Sequence, residues 1–244
     1  VPREVRASSL GASGLMPIGA AAALTLSEVE DAASLIVSRV REITNEPAQS
    51  VPVTLSLDGF ELSGTIPGVH LASGCRVVFR ASSLKHKDVV GMWVEHLVLT
   101  AALKRPFASH LVCHKNHMQL RALTVCDARE HLRSLIGVHL MARNAPLPFF
   151  ADTAWAFFEH RLSQPDAKAV PREVRELWRR NDPRWDGDSD SSEVHVKLLF
   201  SDHLEDDSFP FNDPGFVAAV DAILGPLHPR HSRHDLTAPF VAAR

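Results

Sequence analysis

Between Val51 and Leu62 apolar and polar residues alternate: Val53, Leu55 and Leu57 fall on one side, Asp58-Gly59 interrupts, and Phe60 and Leu62 resume. Alternation marks a half-buried strand, and Asp-Gly between two such runs is a tight-turn signal, so this stretch predicts a β-hairpin. The run CRVVF, Cys75–Phe79, predicts a third strand. The period then lengthens. Val90, Trp93, Val94, Leu97 and Ala101 recur at helical spacing and predict a helix over about 87–103 with those side chains on its buried face. A second hairpin is expected from His110–Cys113, a turn at His114–His117, and Met118–Val125. A helix over about 127–143 follows, carrying Leu132, Leu135, Ile136 and Leu140, and Asn144 with the Pro-Leu-Pro at 146–148 ends it.

Upstream, residues 1–24 are rich in Ser, Gly and Ala and read as irregular. Ser27 and Glu30 form an S-x-x-E capping box ahead of Val29, Ala33, Ile36, Val37 and Val40, predicting a helix over about 27–43. Downstream, 151–163 and 172–180 read as short helices, and 194–200 stays open between strand and helix. The polar stretch NDPRWDGDSDSSE at 181–193 reads as an acidic surface loop, 216–224 as a last helix, and the Pro/His-rich end as a mobile tail. The order α-β-β-β-α-β-β-α predicts an α/β domain with a mixed, partly antiparallel sheet. Its core is expected over 1–180, with 194–244 as a C-terminal helical extension of the same domain and the tail. VPREVR occurs at 1–6 and 170–175 without matching flanks, which is not a structural repeat.

At 244 residues and 26.8 kDa, the chain fits one large domain or two small ones with a real core. Its 45% apolar and 23% charged content is that of a soluble globular protein. No apolar run approaches the ~18 residues of a membrane span. The stretch Gly14–Leu26 lacks the basic flank of a signal peptide. The chain opens on Val1, not Met, and runs straight into PREVR, which reads as a fragment of a longer polypeptide. Cys75, Cys113 and Cys126 form no CxxC pair and fit a reducing cytosol. A net charge of −3 and a pI near 6.5 bear on any nucleic-acid role. Phosphate binding favours basic domains, so DNA contact here would be local or depend on partners.

Several chemistries are unsupported. Fourteen histidines invite a metal reading, but His110 and His114 on one extended strand would lie ~13 Å apart. These, His117 and the tail HPRHSRH (His228–His234) read as surface, turn and tail residues. Asp186-x-Asp188-x-Asp190 resembles the start of an EF-hand, yet Ser191 stands where Gly is needed and Lys197 where a bidentate Glu is needed. No P-loop, GxGxxG or GxSxG motif occurs. Two basic clusters remain as DNA-contact candidates: Lys85-His86-Lys87 at the start of the central helix, and Lys115-Asn116-His117 at the second hairpin.

An ordered series of short phrases goes further: Gly14-Leu15-Met16-Pro17-Ile18-Gly19; Leu62, Gly64 and Pro67; Phe79-Arg80-Ala81-Ser82; and Trp93, Glu95, His96, Leu97, Val98. Over about 10–145, and more weakly to about 225, this series resembles the C-terminal domain of RecC, the gamma chain of exodeoxyribonuclease V (RecBCD). The resemblance implies a relative of the restriction-endonuclease-like, PD-(D/E)XK nucleases. Active members carry a GxIDR-like second strand, a third strand ending DYK, and QxxxY on the next helix; there the carboxylates hold Mg²⁺ beside a Lys. Here Gly64 is followed by Pro67 in place of the Asp, Val78 replaces the acidic ligand and Arg80 the Lys, and Gly91 and Glu95 stand for Gln and Tyr.

The implied role is therefore non-catalytic and cofactor-free. It lies within a cytoplasmic helicase–nuclease complex that processes double-strand DNA ends for recombinational repair. RecB- and RecD-like helicase subunits, double-stranded ends and separated single strands would be its partners. A strand-separating hairpin pin and a part in complex assembly are included in what the resemblance implies. Two alternatives stay open: a nuclease with relocated residues such as Asp58 and Glu61, and a stand-alone protein-interaction module. Trp155, Phe157, Phe158, Phe209, Phe211 and Phe216 exceed what a few short helices need, so exposed partner-binding surface is expected in the C-terminal third.

Overall fold

The structure, a computed structural model, describes residues 5, 9–10, 12–14, 20–167, 169–179, 194–203, 206 and 208–237. The acidic loop expected over 181–193 and the last seven residues lie outside the described residues. The first long helix, α1, spans Ala20–Ile43. It starts seven residues before the expected cap. Ala20 to Ala23 are the strongest helix formers, and they carry the helix past Ser27 so that the S-x-x-E pattern lies inside it.

β1 (Gln49–Leu57) and β2 (Phe60–His70) form the expected hairpin, with Leu57 paired to Phe60 across Asp58-Gly59. Both turn residues have positive φ, 50° and 84°, which is the twist-matched two-residue turn that Asp-Gly favours. Val51, Val53, Leu55 and Leu57 are buried while the residues between them are exposed. β3 (Cys75–Phe79) pairs antiparallel with β2. α2 (His86–Leu103) then crosses the sheet and returns the chain as β4 (Ala108–Val112), parallel to β3. β5 (Asn116–Leu120) closes the second hairpin, and α3 spans Val125–Asn144, capped by Thr124 Oγ1 accepting from the Asp127 N–H at 3.1 Å.

α2 departs from the expected face. Trp93, Leu97 and Ala101 are buried, but Val94 is 39% exposed, and Val89, Met92, His96, Leu99 and Thr100 are buried instead. This helix is wedged between the sheet and α3, so its buried arc is wider than a single stripe. On α3, Leu140 is likewise exposed at 37%.

The C-terminal third folds into the same core. α4 (Ala151–Ser163), α5 (Arg172–Arg179), α6 (Val194–Leu199) and α7 (Pro214–Leu227) share one apolar cluster with Leu57, Trp93 and Leu120, while the 3₁₀ turn at Ser201–His203 buries none of its residues. The ambiguous 194–200 segment is thus helical. The expectation of exposed aromatics is overturned: Trp155, Phe157, Phe158, Phe209, Phe211 and Phe216 are all buried. They pack on one another and on Phe150, Trp178 and Phe200, with Phe150–Trp178 centroids 4.4 Å apart and Phe157–Phe216 5.3 Å.

The histidine tail is also corrected. After a 3₁₀ turn (His228–Arg230), His231–Asp235 forms β6 and pairs antiparallel with β5 over five register positions. Its polar sequence has little strand propensity; the open edge of β5 supplies the ladder that orders it. The result is an open six-stranded mixed sheet in the order β1-β2-β3-β4-β5-β6. α1 covers one face through Ile36, packed with Cys75, Val77, Val112 and Leu236; α2 and the remaining helices cover the other. Among the described residues, no helix is long and apolar enough to cross a membrane.

Candidate nucleic-acid interface

Strand alternation sends Cys75 and Val77 of β3 toward α1, so Arg76 and Val78 face α2. Between this face of β3 and the first half of α2 lies an open groove of about 580 Å³. Four of the six positions singled out in the sequence meet in its wall: Val78, Arg80, Gly91 and Glu95. Gly91 lies in the α2 interior with no atom within 4 Å of where a Cβ would stand, so the groove is open there. Pro67 joins indirectly, through its carbonyl, which accepts from Arg76 Nε at 3.0 Å. Gly64 lies farther along β2, opposite Val53, and does not line the groove.

Arg76 is the residue that sequence reasoning passed over. Its side chain is 3% exposed, and Nη2 meets Glu95 Oε2 at 2.6 Å. The remaining nitrogen, Nη1, is buried without a hydrogen-bond partner. Burial lowers the Arg76 pKa, while the Glu95 carboxylate opposes that shift and holds the charge. A buried guanidinium with one unmade donor costs on the order of 1–3 kcal/mol. The available cue was a charge inside the apolar run CRVVF.

A second ion pair stands at the groove mouth. Arg80 bonds Asp88 in the first turn of α2, and its Nε donates to Ser82 Oγ at 2.6 Å. Asp88 is well placed there, since a helix N-terminus favours negative charge. With exposed Lys87, the groove wall carries three cations, Arg76, Arg80 and Lys87, against the two carboxylates of Asp88 and Glu95.

The Lys85-His86-Lys87 trio is split by the fold. Lys85 is the N-cap residue of α2, and Lys87 points into the groove wall. His86 turns inward: its Nδ1 meets Asp152 Oδ1 at 2.6 Å and its ring stacks on Trp155 at 4.7 Å. That hydrogen bond holds the Asp152 carboxyl below the usual carboxylate range. Lys115 is exposed in the β4–β5 turn, away from the groove wall, with its carbonyl accepting from the Leu236 N–H at 3.0 Å.

Asp58 and Glu61, the relocated-nuclease pair, are not assembled into a site. Asp58 occupies the β1–β2 turn and pairs with Arg133 of α3 at 2.7 Å, and Glu61 is exposed on β2. Among the described residues, no three His, Cys, Asp or Glu side chains converge in a way that could hold a metal ion. His110 and His117 do meet, however, contrary to their reading as surface and turn residues. They sit buried on adjacent strands with Nδ1 and Nε2 3.0 Å apart, and His234 of β6 lies 5.9 Å from the His117 ring. Distance along one strand keeps His110 and His114 apart, whereas hairpin pairing brings His110 and His117 together.

Residues 3–162, more than half of the chain, match the family model described as the RecC C-terminal domain. The chain belongs to the RecC C-terminal domain family. No curated protein matches it. The RecC phrases fall on structurally decisive positions: Trp93, His96 and Leu97 are fully buried in α2, and Arg80 and Ser82 bond each other where β3 gives way to the groove. The match ends within α4, so α5–α7 and the strand β6 that completes the sheet lie beyond the matched region.

Proposed function

We propose that this chain is the non-catalytic C-terminal domain of a RecC-like subunit of a RecBCD-type helicase–nuclease. In that role it supports DNA-end binding, strand separation and assembly with RecB- and RecD-like subunits during cytoplasmic recombinational repair. The observation that carries the reading is the groove between β3 and α2. On a PD-(D/E)XK-like scaffold this is where carboxylates and a Lys would hold Mg²⁺ and activate water. Here Val78 offers no oxygen, Pro67 offers only a carbonyl already engaged by Arg76, and Arg76 and Arg80 place positive charge where a divalent cation would bind. Glu95 is paired with Arg76 and Asp88 with Arg80. These residues do not fit a divalent metal, and no cleavage step is derived through one. A cationic groove beside a β-hairpin suits contact with the phosphate backbone, which positions a strand without reading its sequence.

The test is a cleavage assay on linear double-stranded and single-stranded DNA with Mg²⁺ or Mn²⁺. The expected result is no cleavage above background. Cleavage that is lost on Asp58→Asn or Glu61→Gln would replace this reading with a nuclease whose catalytic residues have moved.

A further inference from the structure

We infer that the β3–α2 groove is a self-capped phosphate site, in which a phosphodiester of a DNA strand displaces Glu95 from Arg76 and Asp88 from Arg80. The inference rests on the proposed DNA-processing role and adds to it the residues that would touch the strand.

Three observations support it. The groove is a real opening of about 580 Å³, and the missing side chain at Gly91 leaves clear space beside it. Arg76 is anchored from behind by the Pro67 carbonyl at 3.0 Å, so its guanidinium is held in place whichever anion it faces. Its Nη1 is buried with no acceptor, although Nη2 is paired with Glu95 at 2.6 Å. A phosphate offers oxygens in the fork geometry that guanidinium groups prefer, and it can take both terminal nitrogens where Glu95 takes one.

Both partners reach solvent, Asp88 at 25% exposure and Glu95 more so. Glu95 is 44% exposed, so it can rotate into water with little loss of solvation. Arg80 is 35% exposed and sits at the mouth beside Lys87, so the three cations form a path from surface to interior. When the two carboxylates swing out, the local balance shifts from nearly neutral to three positive charges. That exchange explains how a chain of net charge −3 could grip a strand at one place only.

The exchange makes a prediction of opposite signs. In fluorescence anisotropy with a labelled single-stranded oligo-dT, Glu95→Gln removes the competing charge but keeps an acceptor for Arg76, and binding should tighten by roughly threefold or more. The double substitution Arg80→Gln with Lys87→Gln should weaken binding by about tenfold and lower the salt slope by about one to two. Arg76→Gln should do the same, but the two surface changes decide the matter if that buried substitution unfolds the chain. Equal affinity and salt slope in all variants would overturn the groove assignment while leaving the proposed RecC-like role standing, since DNA would then bind elsewhere. Absence of binding by wild type and Glu95→Gln alike would overturn it too. Displacement of the oligonucleotide by inorganic phosphate at matched phosphate concentration would assign the groove to free phosphate and reject the strand.

Discussion

His110 on β4 and His117 on β5 face each other with Nδ1 and Nε2 3.0 Å apart, both buried against the face of the sheet that α1 covers. At that distance one ring donates and the other accepts, so the accepting ring is neutral. Burial lowers both pKa values, and positive charge on His70 opposes protonation of His110 as positive charge on His110, Arg39 and His234 opposes that of His117. His96, whose Nδ1 bonds Ser109 Oγ at 2.9 Å, is lowered by burial to about 4.

The consequence for stability has a definite sign. In the unfolded chain these imidazoles protonate near 6.5, while in the fold they stay neutral to lower pH. The unfolded state therefore takes up protons first. Stability is complete above pH ~6.5 and falls as pH drops toward 4, with His96 alone contributing on the order of 3 kcal/mol across that window. Thermal melts from pH 7 to 4.5 should show the decline, and His117→Asn should make it shallower. A melting temperature independent of pH across that range would contradict the buried, neutral assignment.

Two glycines predict opposite outcomes. Gly68, with φ +74°, has the Val77 carbonyl oxygen 2.4 Å from where a Cβ would stand, so Gly68→Ala must push β2 away from β3 beside the Arg76 anchor. A loss on the order of 2–4 kcal/mol is expected in denaturant unfolding, from strain and a disturbed ladder together. Gly91 in α2 has open space, and Gly91→Ala should stabilise by about 0.5–1 kcal/mol. Reversal of that order would mean the β2–β3 register is wrong.

The aromatic cluster behind α4 predicts a structural cost instead of a lost interface. Phe150, Trp178, Phe200 and Phe209 are mutually packed, with Trp178 1% exposed. Trp178→Ala should cost roughly 3–5 kcal/mol in chemical denaturation. A neutral effect would contradict the packing of this cluster into the core.

What was legible in the sequence was local. The Val53–Leu57 alternation and the Asp58-Gly59 turn specify the first hairpin because both signals lie within a dozen residues. The groove positions Val78, Arg80, Gly91 and Glu95 were legible as a set through the family series, and the β3–α2 connection brings them together. Arg76 was missed because its role depends on which way the strand faces and on the Pro67 carbonyl of the neighbouring strand. The meeting of His110 with His117 and the pairing of β6 with β5 depend on register between strands, which apolar periodicity does not encode. β6 in particular joins His231–Asp235 to a strand more than a hundred residues earlier.

A chain that serves an assembly should prefer its partner subunits to DNA. Immobilised chain should retain RecB- and RecD-like subunits at physiological salt, while its own affinity for DNA is weak and falls steeply as salt rises. Measured side by side by surface binding, the partner affinity should exceed the DNA affinity. Tight DNA binding at physiological salt with no affinity for either helicase subunit would contradict the account and describe a stand-alone DNA-binding protein.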